Sequence, residues 1–417
     1  MTTDFHPDRL TSRRGRVLGV DAARAVALVG MFATHILPLS ARSGGGGGET
    51  LTGLLADGRS SALFAVLAGV GVALASGGTE PPPDGRTHLA AAASLLVRGA
   101  LVALLGLWLV GLDPPVAVIL AYYGLLFVVA APLLRLRSPV LAAGAVLACV
   151  LTPVLSHLLR DGLPAGPGDQ ADLGSLAEPV ELVVTLGLTG YYPVLTWTTY
   201  LLTGMAVGRL DLRRTDVAAG LLAGGTVLAV AAWAASAQLL GPGGGAAALG
   251  PALERRRYGT TPTDTWWWLA VDSPHSGSPL DLAHTTGTAL AVIGAMLLLT
   301  HLAGSGSSSG CRPRVLAKVA RPVVIVPAAL GAAPLTLYTL HVIGLAAYPG
   351  NGTDDVALWV THVLIATAIG VLLWLAGHRG PLEAVVSAVG RGARWLVSPR
   401  GAPPEGRTQG TGPARTS

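Results

Sequence analysis

The chain has 417 residues, of which 51% are apolar and only 12% are charged, and its mean hydropathy is +0.58. A soluble domain carries about 25% charged residues, so this composition all but excludes a soluble globular enzyme, and it equally excludes a disordered chain. The class that remains is a polytopic membrane protein. The net charge of +5 does not indicate a nucleic-acid partner, because the arginines sit in short clusters between apolar runs, as they do in membrane loops.

Ten apolar runs are each long enough for a helix that crosses a bilayer, which needs about 20 residues. The sequence therefore predicts an all-α fold, a polytopic transmembrane bundle of about ten spans. The runs cover residues 17–39, 60–77, 90–111, 115–134, 138–158, 180–208, 216–240, 281–303, 323–347 and 355–377. The sixth run contains Pro193, which predicts a kink or a broken helix at that point.

The positions of the arginines predict the orientation of the bundle. Arginines cluster before the first run and in every second loop after it, and only the Arg255–Arg257 triplet breaks this pattern. The positive-inside rule then places both termini in the cytoplasm, and we expect the inner (plasma) membrane. The polar ends predict a disordered cytoplasmic segment at 1–15, a transmembrane domain over 16–390, and a basic, disordered cytoplasmic tail at 391–417.

Two ionisable residues lie inside the first run, near its cytoplasmic end. Asp21 and Arg24 are three residues apart, so they share one helix face and can pair. An ionisable residue at the bilayer centre costs roughly 2.5–3.5 kcal/mol on insertion scales. The pair is therefore expected to be a structural ion pair or, alternatively, a contact with a cofactor or headgroup at the inner face.

Four ionisable residues from separate segments are predicted to lie at one depth near the outer face: His35, Arg59, His275 and His341. Tyr338 precedes the last of these by three residues, on the same side of its helix. Each histidine alone could simply be an interhelical hydrogen-bonding residue. Together they suit acyl or phosphoryl transfer, because histidine is the usual general base near neutral pH and arginine can hold a phosphate or an oxyanion. The same set is compatible with a proton-coupled transporter.

The longest predicted outer loop, 241–280, combines the arginine triplet with a run of three tryptophans, Trp266–Trp268. These tryptophans suit an interfacial aromatic belt or, alternatively, a platform that stacks a sugar ring. The two cysteines, Cys149 and Cys311, indicate neither a disulfide framework nor a metal site.

Several segments resemble a known family. Residues 16–35 resemble the first span of the heparan-alpha-glucosaminide N-acetyltransferase-like membrane proteins, and residues 57–69 resemble their second span. Four further segments resemble the YeiB-like branch, a domain of unknown function numbered 418: they are 192–209, 275–277, 335–341 and 380–383. The resemblance covers most of residues 16–390, with the segments in the same order.

The resemblance implies a membrane acyltransferase that moves an acyl group from cytoplasmic acyl-CoA to an acceptor across the membrane. In the characterised branch the acceptor is a glucosamine amine, and a histidine in the loop after the first span is essential. Here that loop, residues 40–58, contains no histidine, and His35 at the end of the helix is the nearest candidate.

The leading hypothesis is therefore an integral membrane acyltransferase that modifies a cell-envelope glycan or glycolipid, with acyl-CoA as the donor and no metal. The predicted site residues are His35, His341 and His275 as catalytic residues, Arg59 and Tyr338 as substrate-binding residues, and Asp21 and Arg24 as cofactor-binding residues. The expected partners are membrane lipid and the glycan or glycolipid acceptor, and a homodimer is possible. The alternative is a non-enzymatic transporter or exporter, in which the intramembrane charges line a path.

Overall fold

The structure is a computed structural model that describes residues 16–40, 48–163, 170–304, 324–348 and 355–397. Within these ranges the chain forms helices and connecting loops, with one isolated β-bridge and no strand. The helices of the first half are α1 (Leu18–Ile36), α2 (Leu51–Ala56), α3 (Arg59–Ala75), α4 (Gly85–Val110), α5 (Leu120–Ala130), α6 (Ser138–Leu159), α7 (Pro179–Val184) and α8 (Val194–Gly208). The helices of the second half are α9 (Thr215–Leu240), α10 (Gly245–Leu249), α11 (Pro279–Gly304), α12 (Val324–Leu330), α13 (Pro334–Ala347), α14 (Asp355–Leu375) and α15 (Pro381–Val397).

In the described part of the chain, seven helical segments are long and apolar enough to cross a membrane: α1, α2 together with α3, α4, α6, α9, α11 and α14. The bent pair of α12 and α13 brings the number to eight if it is counted as one span. This confirms the predicted all-α, polytopic class. The number ten stays a prediction, because the runs 115–134 and 180–208 hold shorter helices, Leu120–Leu133 and Pro179–Thr189 followed by α8.

Two of the spans are broken, and only one break was predictable. The break expected at Pro193 is confirmed: a π-helical turn ends at Thr189 and α8 starts at Val194, with Pro193 as its cap residue. The run 323–347, predicted as one span, instead contains two helices that meet at 68°. The predicted span therefore holds only if this bent pair is counted as one span, and its bend was not predicted.

The bend before α13 is stabilised by the carboxylate of Glu383, in the first turn of α15. Glu383 Oε1 accepts hydrogen bonds from the backbone N–H groups of Leu335 (2.7 Å) and Thr336 (3.1 Å), and Oε2 accepts one from the Thr336 hydroxyl (2.6 Å). The first N–H groups of a helix have no partner inside it, and a negative charge there is favourable. Glu383 therefore caps α13 and allows the span to restart at an angle.

The helices approach closely where glycine replaces larger residues, as is usual between transmembrane helices. A Cβ atom added to Gly204 on α8 would overlap the carbonyl oxygen of Val66 on α3, and one added to Gly69 would overlap that of Leu201. Helices α3 and α8 are thus in backbone contact. This contact fixes the position of α3, whose start forms part of the site described below.

Helix α15 lies against α4, with Gly390 packed beside Ser94 and Arg98. It continues through Val397, so the predicted domain boundary at 390 falls inside a helix. Residues 391–397, expected to be disordered, are helical because this helix packs on the bundle. Segments 1–15 and 398–417, also predicted to be disordered, lie outside the described residues.

Candidate active site

A cavity of about 450 Å³ lies at the end of the bundle that carries His35. Its wall comes from the end of α1, the turn between α2 and α3, the loop before α5, the break before α8, the loop before α11, and α13. We call it the outer cavity, after its predicted side of the membrane. Its polar lining consists of Thr34, His35, Asp57, Ser61, Gln170, Tyr191, Tyr192, Tyr258, His275 and Tyr338.

The five residues predicted to lie at the outer level occupy one neighbourhood but have different relations to the cavity. His35, His275 and Tyr338 line it together. His341 lies behind His35, with 3.1 Å between its Nε2 and His35 Nδ1. Arg59 starts α3 and donates a long hydrogen bond to the Asp57 carbonyl (3.4 Å), and it is not part of the described lining. His341 and Arg59 therefore reach the outer cavity only through neighbouring residues.

Three histidines form a chain that leads away from the cavity. His341 Nδ1 is 2.9 Å from His362 Nδ1 on α14, and the Phe32 ring stacks on His341 at 3.9 Å between ring centroids. A neutral imidazole carries one N–H. The ring nitrogen that carries the proton in one histidine therefore determines which nitrogen carries it in the next. When His35 donates from Nδ1 to His341, its Nε2 keeps a lone pair that can accept a proton.

Sequence reasoning did not select His362, because its position near a span end suits an ordinary interfacial histidine. The contact depends on Gly344 of α13: a Cβ there would lie 3.0 Å from the His362 ring. The contact therefore requires a glycine on α13 opposite a histidine on α14. A pattern within a single helix cannot predict it.

Asp57, between α2 and α3, contacts two residues of the loop before α11, Arg256 and His275. It is buried, and its Oδ2 accepts a hydrogen bond from Arg256 at 2.5 Å. His275 Nε2 lies 3.7 Å from its Oδ1. Burial lowers the pKa of His275 below its ordinary value, and the nearby Asp57 carboxylate opposes that shift. His275 is therefore a neutral imidazole at neutral pH, next to a carboxylate that would stabilise its protonated form.

The loop that carries His275 fits against the start of α3 only because of two left-handed backbone positions. Gly58 has φ = +69°, and a Cβ there would lie 3.0 Å from the Pro274 side chain. His275 itself has φ = +60°, which is uncommon outside glycine. This conformation is held by the surrounding structure, and such positions are frequent at functional sites.

Two of the three arginines that break the charge pattern have specific partners. Arg256 is bound to Asp57, and the Arg257 guanidinium lies 4.3 Å from the centre of the Trp268 ring. Trp268 is buried, whereas Trp266 is exposed and packs against His157. The tryptophans therefore do not form one stacking surface, and aromatic residues at the cavity come instead from Tyr191, Tyr192 and Tyr258.

A second cavity, of about 330 Å³, lies toward the end that carries Asp21. We call it the inner cavity. Its charged lining residues are Arg24, Arg98 and Glu383, and most of the rest of its wall is apolar. Tyr338 lines both cavities, and its hydroxyl oxygen accepts a hydrogen bond from the backbone N–H of Ile119 (3.4 Å). This side chain therefore belongs to the walls of both cavities.

The ion pair predicted near the inner face is confirmed and has a third member. Asp21 Oδ1 accepts a hydrogen bond from Arg24 (2.8 Å), and its Oδ2 accepts one from Arg16 (2.9 Å). Arg24 lines the inner cavity, whereas Asp21 is buried behind it. Asp21 thus holds Arg24 in place at the cavity wall.

Comparison with known proteins gives one match. The family model described as "Heparan-alpha-glucosaminide N-acetyltransferase, catalytic" matches residues 16–240, more than half of the chain. No curated protein and no solved structure matches. The matched part contains His35, Asp57 and both arginines of the inner cavity, whereas His275 and Tyr338 lie beyond it.

Proposed function

Since the chain belongs to the heparan-alpha-glucosaminide N-acetyltransferase catalytic-domain family, we propose that it is an integral membrane acyltransferase. It takes the acyl group from acyl-CoA in the inner cavity and transfers it to a glycan or glycolipid acceptor in the outer cavity. The observation that carries this proposal is that two cavities toward opposite ends of the bundle share Tyr338 in their walls. A donor and an acceptor approaching from opposite sides can react there without either crossing the membrane.

The chemistry at the meeting point is a direct acyl transfer. The nitrogen or oxygen of the acceptor attacks the thioester carbonyl carbon, a C–N or C–O bond forms, the C–S bond breaks, and CoA leaves as a thiolate. The Tyr338 oxygen already accepts the Ile119 N–H, so its own O–H is free to donate to the developing oxyanion. A histidine takes the acceptor's proton, which then passes to the thiolate.

Two histidines could act as this general base, and their surroundings differ. A proton on His275 would face the Asp57 carboxylate 3.7 Å away, whereas the hydrogen-bond partner of His35 in the described residues is another imidazole, that of His341. A carboxylate behind a histidine stabilises the imidazolium that forms during the reaction. We therefore assign proton removal to His275, and acceptor positioning or a second proton-accepting role to His35.

The lining of the outer cavity supports a sugar-containing acceptor. Tyr191, Tyr192 and Tyr258 supply flat apolar faces, and Asp57 and Gln170 supply hydrogen-bonding groups among them. Aromatic faces combined with a few placed hydrogen-bonding groups are typical of small-molecule sites. The inner cavity lies toward the predicted cytoplasmic end, which suits a donor from the cytoplasmic acyl-CoA pool and a plasma-membrane location.

Purified protein in detergent tests the proposal when it is incubated with acetyl-CoA and a panel of amino sugars, sugars and envelope glycolipids. We expect CoA thiol release that depends on the acceptor. Removing the base should lower the rate by about 10²–10⁴, so His275→Ala should be nearly inactive. The matched control is His378→Ala, because His378 is exposed in the loop after α14.

The result that would overturn the enzyme assignment is well-folded protein that releases no thiol with any acceptor. The transporter alternative would then be favoured. Equal rates for wild type and His275→Ala would keep the enzyme but reject this base.

A further inference from the structure

Helix α15 brings two arginines next to a third on α4. Arg391 and Arg394 on α15 and Arg98 on α4 line a recess of about 60 Å³, together with the serines Ser76 and Ser94. Arg379, just before α15, adds to the positive field at Arg98. The recess therefore concentrates positive charge toward the same end of the bundle as the inner cavity.

This charge is not balanced by the protein in the described parts of the chain. None of the three lining arginines has a carboxylate partner or a hydrogen bond there, and the Nε of Arg98 is buried without a partner. Elsewhere the chain partners its partly buried arginines: Arg24 with Asp21, Arg256 with Asp57, and Arg209 with three backbone carbonyls and Ser76. The Nε of Arg209 and that of Arg257 are also unpaired, but those two guanidinium groups make other hydrogen bonds. Buried donors without partners are uncommon in proteins, so the recess suits an anion.

The recess adjoins the inner cavity and shares part of its wall. Both are lined by Val72, Ala75, Leu95 and Arg98. A ligand with its anionic group among the arginines could therefore extend a narrow, mostly neutral arm along the apolar wall toward Tyr338. Planar guanidinium groups match phosphate oxygens with paired hydrogen bonds, which makes phosphate the anion that this geometry suits.

We propose that Arg98, Arg391 and Arg394 form a phosphate site that holds the acyl-CoA donor by one of its phosphate groups. The inference rests on the proposed function and adds the anchor of the donor to it. Helix α15 lies outside residues 16–240, the part matched by the family model. The site therefore depends on the C-terminal part of this chain, which family membership alone does not assign.

Calorimetric titration of the purified full chain tests the site, with CoA and with pantetheine, which lacks every phosphate of CoA. Charge-assisted hydrogen bonds are strong, so Arg391→Gln/Arg394→Gln should raise the Kd for CoA about tenfold or more. The same variant should leave the Kd for pantetheine unchanged. Both arginines are exposed on α15, so the variant should melt at the wild-type temperature.

The matched control is Arg86→Gln/Arg213→Gln, which removes two exposed arginines from the predicted cytoplasmic side and should leave the Kd for CoA unchanged. A wild-type Kd for CoA in the Arg391→Gln/Arg394→Gln variant would overturn the inference. A third arm uses nanodiscs with and without phosphatidylglycerol. Stabilisation by this lipid that needs the α15 arginines, with CoA binding unaffected, would assign the phosphate to a lipid headgroup and overturn the donor assignment.

Failure of this inference differs from failure of the proposed function. Wild-type protein that releases CoA thiol, but whose Arg391→Gln/Arg394→Gln variant binds CoA normally, rejects the phosphate site alone. Wild-type protein that neither binds CoA nor releases its thiol rejects both.

Discussion

Removal of the Asp21 carboxylate should destabilise the bundle strongly. Its side chain is only 3% exposed and accepts hydrogen bonds from Arg24 and Arg16, whose side chains are 23% and 27% exposed. Deleting one partner of a buried ion pair costs about 3–5 kcal/mol. Because both arginines keep some exposure and can reach toward headgroups, we expect the lower end for Asp21→Ala, about 3 kcal/mol, or more than a hundredfold in the folding equilibrium.

The chain provides a matched control for this experiment. Asp216 also pairs with an arginine, Arg214, but their side chains are 66% and 62% exposed. An exposed pair contributes about 0–1 kcal/mol, so Asp216→Ala should behave like wild type. The assay is the fraction of each variant that stays monodisperse on size exclusion after heating in detergent, together with its yield.

A double variant separates a structural role from a functional one. Asp21→Ala/Arg24→Ala should recover part of the lost stability, because one of the two unpaired arginines is gone. Wild-type melting of Asp21→Ala would refute the reasoning. If that variant were also inactive, Asp21 would act by holding Arg24 at the wall of the inner cavity rather than by stabilising α1.

Three further predictions follow from the geometry. Asp57→Asn removes the carboxylate that opposes the lowered pKa of His275, so the acid limb of the pH profile of kcat/KM should move to lower pH. An acid limb at the wild-type pH would show that Asp57 does not influence the base. Gly204→Ala should cost about 1–3 kcal/mol by overpacking, measured as a lower melting temperature, whereas Gly220→Ala, with open space around it, should not; equal melting would contradict the close contact of α3 and α8. A topology reporter fused after Gly245 should read as external, and a cytoplasmic reading would reverse the predicted orientation.

The features that the sequence predicted correctly depend on local patterns. Continuous apolar runs predict the spanning helices, a proline predicts the break before α8, and a three-residue spacing predicts the pair of Asp21 and Arg24. In each of these cases the cause and the structural result lie within a few residues of each other. Such features can be predicted from the sequence without knowing which helices are neighbours.

The features that the sequence did not predict arise from contacts between distant segments. The bend before α13 is stabilised by Glu383, 47 residues after Thr336. Asp57 lines the outer cavity and is paired with Arg256. Nothing in the sequence around Arg255–Arg257 predicted this pairing. A shared level along the bundle was predictable for His35 and His341, but their contact depended on how α1 and α13 pack.

Mass spectrometry of the lipids and glycans from cells that lack this gene gives the sharpest test of the acyltransferase assignment. We expect one envelope component to lose an acyl increment in the deletion strain. Wild-type protein should restore the increment, and His275→Ala, expressed at the same level, should not. An unchanged set of acylated components in the deletion strain, or full restoration by His275→Ala, would contradict the account.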